Sequence, residues 1–333
     1  MRVIFITVLT MVWWALTACQ ASSDCFRDDV FCAGLVTDTL GIEDNGVNQD
    51  AWVGLQEAKN SGLANQADFI ESIDARDYMK NIAYFAEHGY DVVFTSGIAL
   101  QDETLQSSDL YPASVFVGLN QTFEESRPNL ISVTFSEDQM GFAAGWLAAN
   151  ISETGIVAGV CETSGIDAMW RYCEGFRAGV KYAEKNVQAI IVYRENGDRE
   201  KLFIDEEWGY QTGSDLILRG ADVVFAAGGV TGQGALRAAT ENKVMGIGTE
   251  RNQAEALGES GLGVVTSFYG RGSSEVQAMM RLVKSGEFVG QWLGQVQYLP
   301  LGPQFPLSLT SDLDVLLAGL ASGEMRTNVS KSR

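Results

Sequence analysis

Histidine is almost missing from this chain: one copy, His88, stands among 333 residues. It lies in a different part of the sequence from every cysteine, and no Cys-x-x-Cys pair occurs, so a histidine–cysteine metal site has no spacing to build on. There is no Gly-x-Ser-x-Gly elbow, no His-Glu-x-x-His helix and no phosphate-binding loop, which removes the commonest signatures of catalysis. Basic residues are scarce as well. Against 43 Asp and Glu stand 23 Lys and Arg, and the net charge of −20 repels nucleic-acid phosphates. Such acidity serves solubility and says little about a ligand. What is present is ordinary soluble composition, 46% hydrophobic and 20% charged, in a chain long enough for one large domain or two lobes with a core each.

The N-terminus carries Arg2, an uncharged apolar run from Val3 to Leu16, and then Leu16-Thr17-Ala18-Cys19. That run is shorter than the roughly 20 residues a bilayer core requires, and no later run reaches that length, so residues 1–18 are predicted to be a signal peptide. Small residues before Cys19 resemble a bacterial lipobox, in which the thiol is acylated and becomes the new N-terminus; a plain secretory signal with an incidental cysteine is the alternative. A lipid on Cys19 is then the only membrane attachment, at the extracytoplasmic face, with 19–30 as a tether. Cys25, Cys32, Cys161 and Cys173 remain, an even count compatible with two disulfides or with four buried thiols. Of the three connectivities, sequence proximity suggests Cys25–Cys32 and Cys161–Cys173.

Short β-branched, apolar runs recur at Cys32–Thr37, Asp91–Thr95, Ser114–Gly118, Leu130–Phe135, Gly155–Val160, Ala189–Tyr193, Asp222–Ala226, Val244–Gly248 and Gly263–Ser267. Most are continuous rather than alternating, as buried parallel strands are. Helical spacing lies between them: Ala51, Leu55 and Ala58 share a face in 48–61, as do Met79, Ile82, Ala83 and Ala86 in 74–88, with Gly89 as a stop. Alternating strand and helix predict an α/β fold with parallel sheets. Gly89-Tyr90-Asp91-Val92-Val93-Phe94 recurs as Gly220-Ala221-Asp222-Val223-Val224-Phe225, about one doubly wound lobe later. Two related lobes with a ligand cleft at their strand ends follow, unless the match of a common strand motif is accidental. Gly228 and Gly229 open Gly228-Gly229-Val230-Thr231-Gly232-Gln233-Gly234, which follows a strand, begins a helix and aims backbone amides at a polar edge of a solute, or is only a tight turn.

The segment from Leu35 to Leu55, with Thr37-Asp38, Asn48-Gln49 and Trp52-Val53-Gly54, resembles the opening of the basic membrane protein family of purine nucleoside receptor lipoproteins. Phe135-Ser136-Glu137-Asp138-Gln139, Gly141 to Gly145, Gly175 to Lys181, Phe203-Ile204-Asp205, Gly220 to Phe225 and Gly228 to Gly234 extend the resemblance, in consistent order, over about residues 31–290. It implies a type I periplasmic-binding fold: two doubly wound parallel-sheet lobes, a hinge of crossing strands and an interlobe ligand cleft. Lobe 1 is expected over about 31–135 with a segment near 250–275, and lobe 2 over about 136–249 with the C-terminal segment to 330. The implied partners are a small-molecule ligand and the permease and ATPase subunits of an ABC importer, with a monomeric binder and no cofactor.

Carried across by residue, Asp38 and Asn48 become polar ligand contacts, Glu137 and Asp138 carboxylate acceptors, and Phe203 a stacking face; caps, turns and core packing are the plain alternatives. Three positions depart from the family. Val47 stands where a base-stacking Phe is usual, Gly248 where a ribose-binding Asp is expected, and Gly270 where a Lys is expected. Losing the acid and the base together leaves no unpaired buried charge. Glu250 and Arg271 are neighbouring replacements, and Trp170 or Trp208 an alternative aromatic face. Such a binder is expected to lack turnover. A solute-sensing receptor would differ in lacking transporter genes beside its own, and a hydrolase would require an acid–base pair in the cleft.

Overall fold

The computed structural model describes residues 24–44 and 46–333, so Cys19 and the signal segment lie outside the described residues. The first half runs β1 (Cys32–Thr37), α1 (Val47–Asn60), β2 (Gln66–Glu71), α2 (Tyr78–Glu87), β3 (Val92–Ser96), α3 (Gln101–Leu110), β4 (Val115–Leu119) and β5 (Leu130–Phe135). The second runs α4 (Glu137–Ile151), β6 (Ile156–Cys161), α5 (Asp167–Tyr182), β7 (Gln188–Tyr193), α6 (Glu206–Leu218), β8 (Val223–Ala227), α7 (Gly229–Glu241), β9 (Met245–Thr249), α8 (Gln253–Ala256) and β10 (Val264–Gly270). The chain closes with α9 (Gly272–Ser285), β11 (Gln291–Gly294), β12 (Val296–Tyr298) and α10 (Leu307–Ser322).

The two sheets have orders β11-β5-β4-β3-β1-β2 and β12-β10-β9-β8-β6-β7, the same order when the halves are superposed by strand. Pairing is parallel except that β12 runs antiparallel to β10. The recurring hexapeptides sit at equivalent places, leading into β3 and β8, and their aspartates pin the strand entries: Cys32 N donates to Asp91 at 2.7 Å, and Glu153 N to Asp222 at 2.6 Å. β1, β3 and β8 are buried along their whole length, as continuous apolar runs require. β2 is an edge strand with Gln66, Asp68 and Glu71 in its six residues, which hides it from an apolar-run reading.

The chain crosses between sheets three times, at 135–137, 270–272 and 294–296. Phe135 is wedged among these crossings: a Cβ on Gly270 would lie 2.5 Å from its ring and one on Gly294 2.4 Å. The expectation that 250–275 belongs to the first lobe is corrected here. β10 completes the second sheet by pairing with β9, burying Thr266, Ser267 and Phe268, and the chain returns to the first lobe only at α9, where Gln277 donates to Glu57 on α1 at 2.6 Å. α10 lies on the second lobe, its Leu320 carbonyl accepting from Gln139 of α4 at 3.1 Å.

Both disulfides join the neighbours in sequence: Cys25–Cys32 fastens the tether to β1, and Cys161–Cys173 fastens the end of β6 to the middle of α5. Gly141 and Gly145 of α4 meet Tyr172 and Phe176 backbone so closely that a Cβ on either would lie 2.0 Å from a carbonyl oxygen of α5. The glycine motifs of these helices therefore serve backbone-to-backbone packing beside the cleft.

Candidate functional site

A cavity of about 300 Å³ opens between the lobes at the carboxyl ends of both sheets, where open α/β sheets hold ligands. Leu40, Val47, Ile98, Asn120 and Phe135 line its first-lobe side. Met140, Ile166, Met169 and Tyr172 line the second, together with Phe203, Gly229 and Glu250 on the loops after β7, β8 and β9. Most of this wall is apolar. Its charged groups are Glu137, Glu250 and Arg251.

Glu137 begins α4 and is held by Arg171 of α5 at 2.9 Å; burial pushes its carboxyl above the usual range, against the pull of that guanidinium. Tyr172, largely buried with its hydroxyl 3.6 Å from Met140 Sδ, has its pKa raised by burial, with the charges of Glu137 and Glu250 adding to the shift. Glu250 has φ +72° and is bridged by a hydrogen bond from Arg251 N to Thr249 O at 2.8 Å, a γ-turn of the rare positive-φ kind. Its Oε2 accepts from Gly229 N at 2.9 Å. Phe203 is also in the left-handed region, at φ +66°, and its carbonyl accepts from Val230 N at 2.8 Å. Non-glycine residues held this way cost energy that surrounding contacts must supply, and such residues gather at ligand sites. Both here converge on the N-terminus of α7.

Of the residues singled out in the sequence, Glu137, Phe203, Gly229 and Glu250 line the cavity. Asn48 is buried beneath it, donating to Asp38 Oδ1 and to Gly41 O, each at 2.9 Å, so the pair fastens the loop after β1. Burial raises the Asp38 pKa against that hydrogen bond. Asp138 turns away and accepts from Thr327 of the C-terminal tail. Trp170 faces the same tail, its indole N–H 3.1 Å from Ser330 Oγ and its ring stacked 6.1 Å from Tyr193. Trp208 lines a separate cavity with Arg194 and Arg219, not the interlobe one. The Gly229 amide donates to the Glu250 carboxylate and the next two amides of α7 to the Phe203 carbonyl, so the start of α7 is already partnered from Gly229 onward. Arg271 is exposed, 3.3 Å from Gln295, and it is Arg251 that enters the cavity. Arg251 Nη1 donates to Asp44 O of the first lobe at 2.9 Å, while its buried Nε has no partner among the described residues. Arg251, Phe135 and Tyr172 were not singled out, and the one signal for Arg251 was its place directly after Glu250. His88 caps α2 with its ring on Tyr84, outside the cavity.

At Gly248, where an acid was expected, a Cβ would lie 2.5 Å from Gln253 Cγ and 2.7 Å from Ser267 Oγ, so a larger side chain there has no room. At Gly270, where a Lys was expected, a Cβ would meet the Phe135 ring at 2.5 Å. Val47 keeps its place in the cavity wall.

Residues 32–272 match the family described as ABC transporter substrate-binding protein PnrA-like. The chain is 31% identical over 258 residues to the CD4+ T-cell-stimulating antigen of Listeria monocytogenes, covering 72% of this chain and 69% of that protein. It is 29% identical over 241 residues to the ABC transporter nucleoside-binding protein BmpA of Lactococcus lactis, covering 68% and 65% of the two chains. Among solved structures, an ABC transporter solute-binding protein from Conexibacter woesei superposes with a TM-score of 0.73 at 22% identity, over 89% of this chain and 98% of that one, a likeness of fold. With its two parallel-sheet lobes and the cleft between them, this chain belongs to the family of PnrA-like ABC transporter substrate-binding proteins.

Proposed function

We propose that this chain captures a small solute in the interlobe cavity and delivers it to the membrane subunits of an ABC importer, as a monomer without turnover, held at the extracytoplasmic face by a lipid on Cys19. The observation that supports this most is the cavity itself, walled from both lobes at the strand ends, with Arg251 of the second lobe already hydrogen-bonded to Asp44 of the first. A solute bridging the two sides would stabilise the closed arrangement by its differential affinity for it. The BmpA name points to nucleosides, but here Gly248 and Gly270, where an acid and a Lys were expected, are crowded by Gln253 and Phe135. Ordinary purine nucleosides are therefore expected to bind more weakly than in relatives with those groups.

The test is mass spectrometry of the small molecule released by denaturing natively purified protein, with import measured in cells lacking the gene. A stoichiometric solute whose uptake falls on deletion supports the reading. Normal uptake of the released solute, or its chemical conversion by the purified protein, would contradict it. Replacing Cys19 with Ala should move the protein from the membrane fraction to the soluble exported fraction.

A further inference from the structure

The segment after α10 is an extended strap across the cleft end of the second lobe. Along 325–330, half-buried Met325, Thr327 and Val329 alternate with exposed Arg326, Asn328 and Ser330, the period of an extended chain laid on a surface. Thr327 donates its hydroxyl to Asp138 of α4. From α5, Trp170 Nε1 donates to Ser330 Oγ at 3.1 Å and Arg171 Nη1 to Lys331 O at 3.0 Å. Arg333 donates to Ser164 Oγ in the loop after β6, and at 3.2 Å to Glu195 Oε1 in the loop after β7. Among the described residues, every hydrogen bond between this segment and another element goes to the second lobe.

All of these anchors but Glu195 lie within two residues of the cavity wall. Asp138 follows Glu137, Trp170 and Arg171 stand between Met169 and Tyr172, and Ser164 comes two before Ile166. Residues three apart on a helix share a face, so Met169 and Tyr172 meet the cavity while Trp170 and Arg171 turn to the strap. Arg171 joins the two sides. Its Nε and Nη2 each meet Glu137 Oε2 at 2.9 Å, while Nη1 is taken by the strap's carbonyl. A guanidinium is a rigid planar fork, so holding one nitrogen on Lys331 O sets the plane in which the others hold the carboxylate.

Resting on the solute-binding reading, we propose that the strap, 325–333, is part of the solute site. Through Arg171 it positions the Glu137 carboxylate, and through Trp170 and Ser164 it keeps the start of α5 and the loop after β6 as a preformed wall. Arg171 is a positioning residue, since it does not itself line that cavity. A wall ordered beforehand need not be ordered at the expense of binding.

Removing 326–333 tests this on solute-free protein. Amide hydrogen exchange read by mass spectrometry should quicken about tenfold or more in 137–141 and 164–173, and stay unchanged in α1 and α2 of the first lobe. NMR titration of the Glu137 carboxyl should move to higher pH, because burial raises it and a released Arg171 opposes that less. Asp138 and Tyr172 beside Glu137, and Glu250 and Arg251 in the same cavity, are identical in both chains. So are Asp102, Glu124, Glu125 and Asp167 of a second cavity that shares Glu137. R171Q should raise the Glu137 midpoint by itself and leave strap removal without further effect on it. Loss of the strap's own positive charges would instead act equally in both backgrounds. If the shortened chain fails to fold, T327V, S330A and R333Q combined in the full chain release the side-chain anchors and carry the test. Calorimetry should show inosine binding the shortened chain about tenfold more weakly. Unchanged exchange in 164–173, additive effects of R171Q and strap removal, or equal inosine affinities would each overturn the proposal. Where neither chain binds inosine, exchange and titration decide it. Both are read without solute, so the released-solute experiment judges solute binding separately.

Discussion

Replacing Arg194 with Met would test how the second lobe presents Phe203 to the cavity. Arg194 is 4% exposed and Glu162 0%. The guanidinium meets Glu162 Oε1 at 2.9 Å and Asp205 Oδ2 at 3.0 Å, and donates to Asp198 O at 2.9 Å, gathering the loop that ends in Phe203. Glu162 Oε2 is already buried without a partner among the described residues. Methionine keeps much of the stem volume and removes the charge, leaving a carboxylate that neither water nor a cation reaches. Breaking a buried pair in this way costs about 3–5 kcal/mol. At about 2–4 °C per kcal/mol for a lobe-sized domain, the melting temperature should fall by roughly 10 °C. Ligand affinity should fall too, since the Phe203 loop loses its anchor. Adding Glu162→Gln to Arg194→Met should recover most of the stability, because the stranded charge is gone, and a double-mutant cycle by calorimetry or denaturant titration measures the coupling. A cost within about 1 kcal/mol, the range of an exposed pair, would refute the burial argument.

Asp50, which accepts from Gly272 N and lies 3.4 Å from Gln297 Nε2, has its carboxyl pushed up to about 6 by burial. A raised carboxyl pKa favours the folded state below the unfolded value near 4, and that advantage is lost as pH rises through 6. Asp50→Asn should thus stabilise the protein at pH 7.5 by roughly 1–2 kcal/mol after allowance for partial exposure, with little gain at pH 4.5. Equal effects at both pH values would contradict this. Gly248→Asp, which places an acid where the resemblance expects one, should cost about 3 kcal/mol or more through overpacking against Gln253 and a buried carboxylate, with no gain in inosine affinity on titration. Replacing both Cys161 and Cys173 with Ala opens a link of sequence separation 12 and should cost about 3 kcal/mol by the loop-entropy relation; an unchanged denaturation midpoint would count against it.

Continuous apolar strands were legible because they are buried on both faces, and β1 and β5 fall on the very residues expected, Cys32–Thr37 and Leu130–Phe135. β2, β11 and β12 were not. The first is a polar edge strand, and the others are four and three residues long, too short to carry a period. The site was legible in part. Glu137 and Phe203 belong to recognisable motifs, yet their neighbours Asp138 and Trp170 face a C-terminal tail that is distant in sequence, and nothing local in the chain announces it.

The sequence alone pointed to the alternation of strand and helix and to the doubling of the lobe, because each is written in local period or repeat, and it suggested the two disulfide pairings, which the structure shows. Tertiary structure decided which lobe the last strands join, that Gln253 and Phe135 crowd Gly248 and Gly270, and that Arg251 rather than Arg271 reaches the cavity. The physical reason is that side-chain direction depends on backbone turns and on crossings between sheets. One residue at φ +72° sends two neighbouring charges the same way, and no pattern of residue types along the chain encodes that angle.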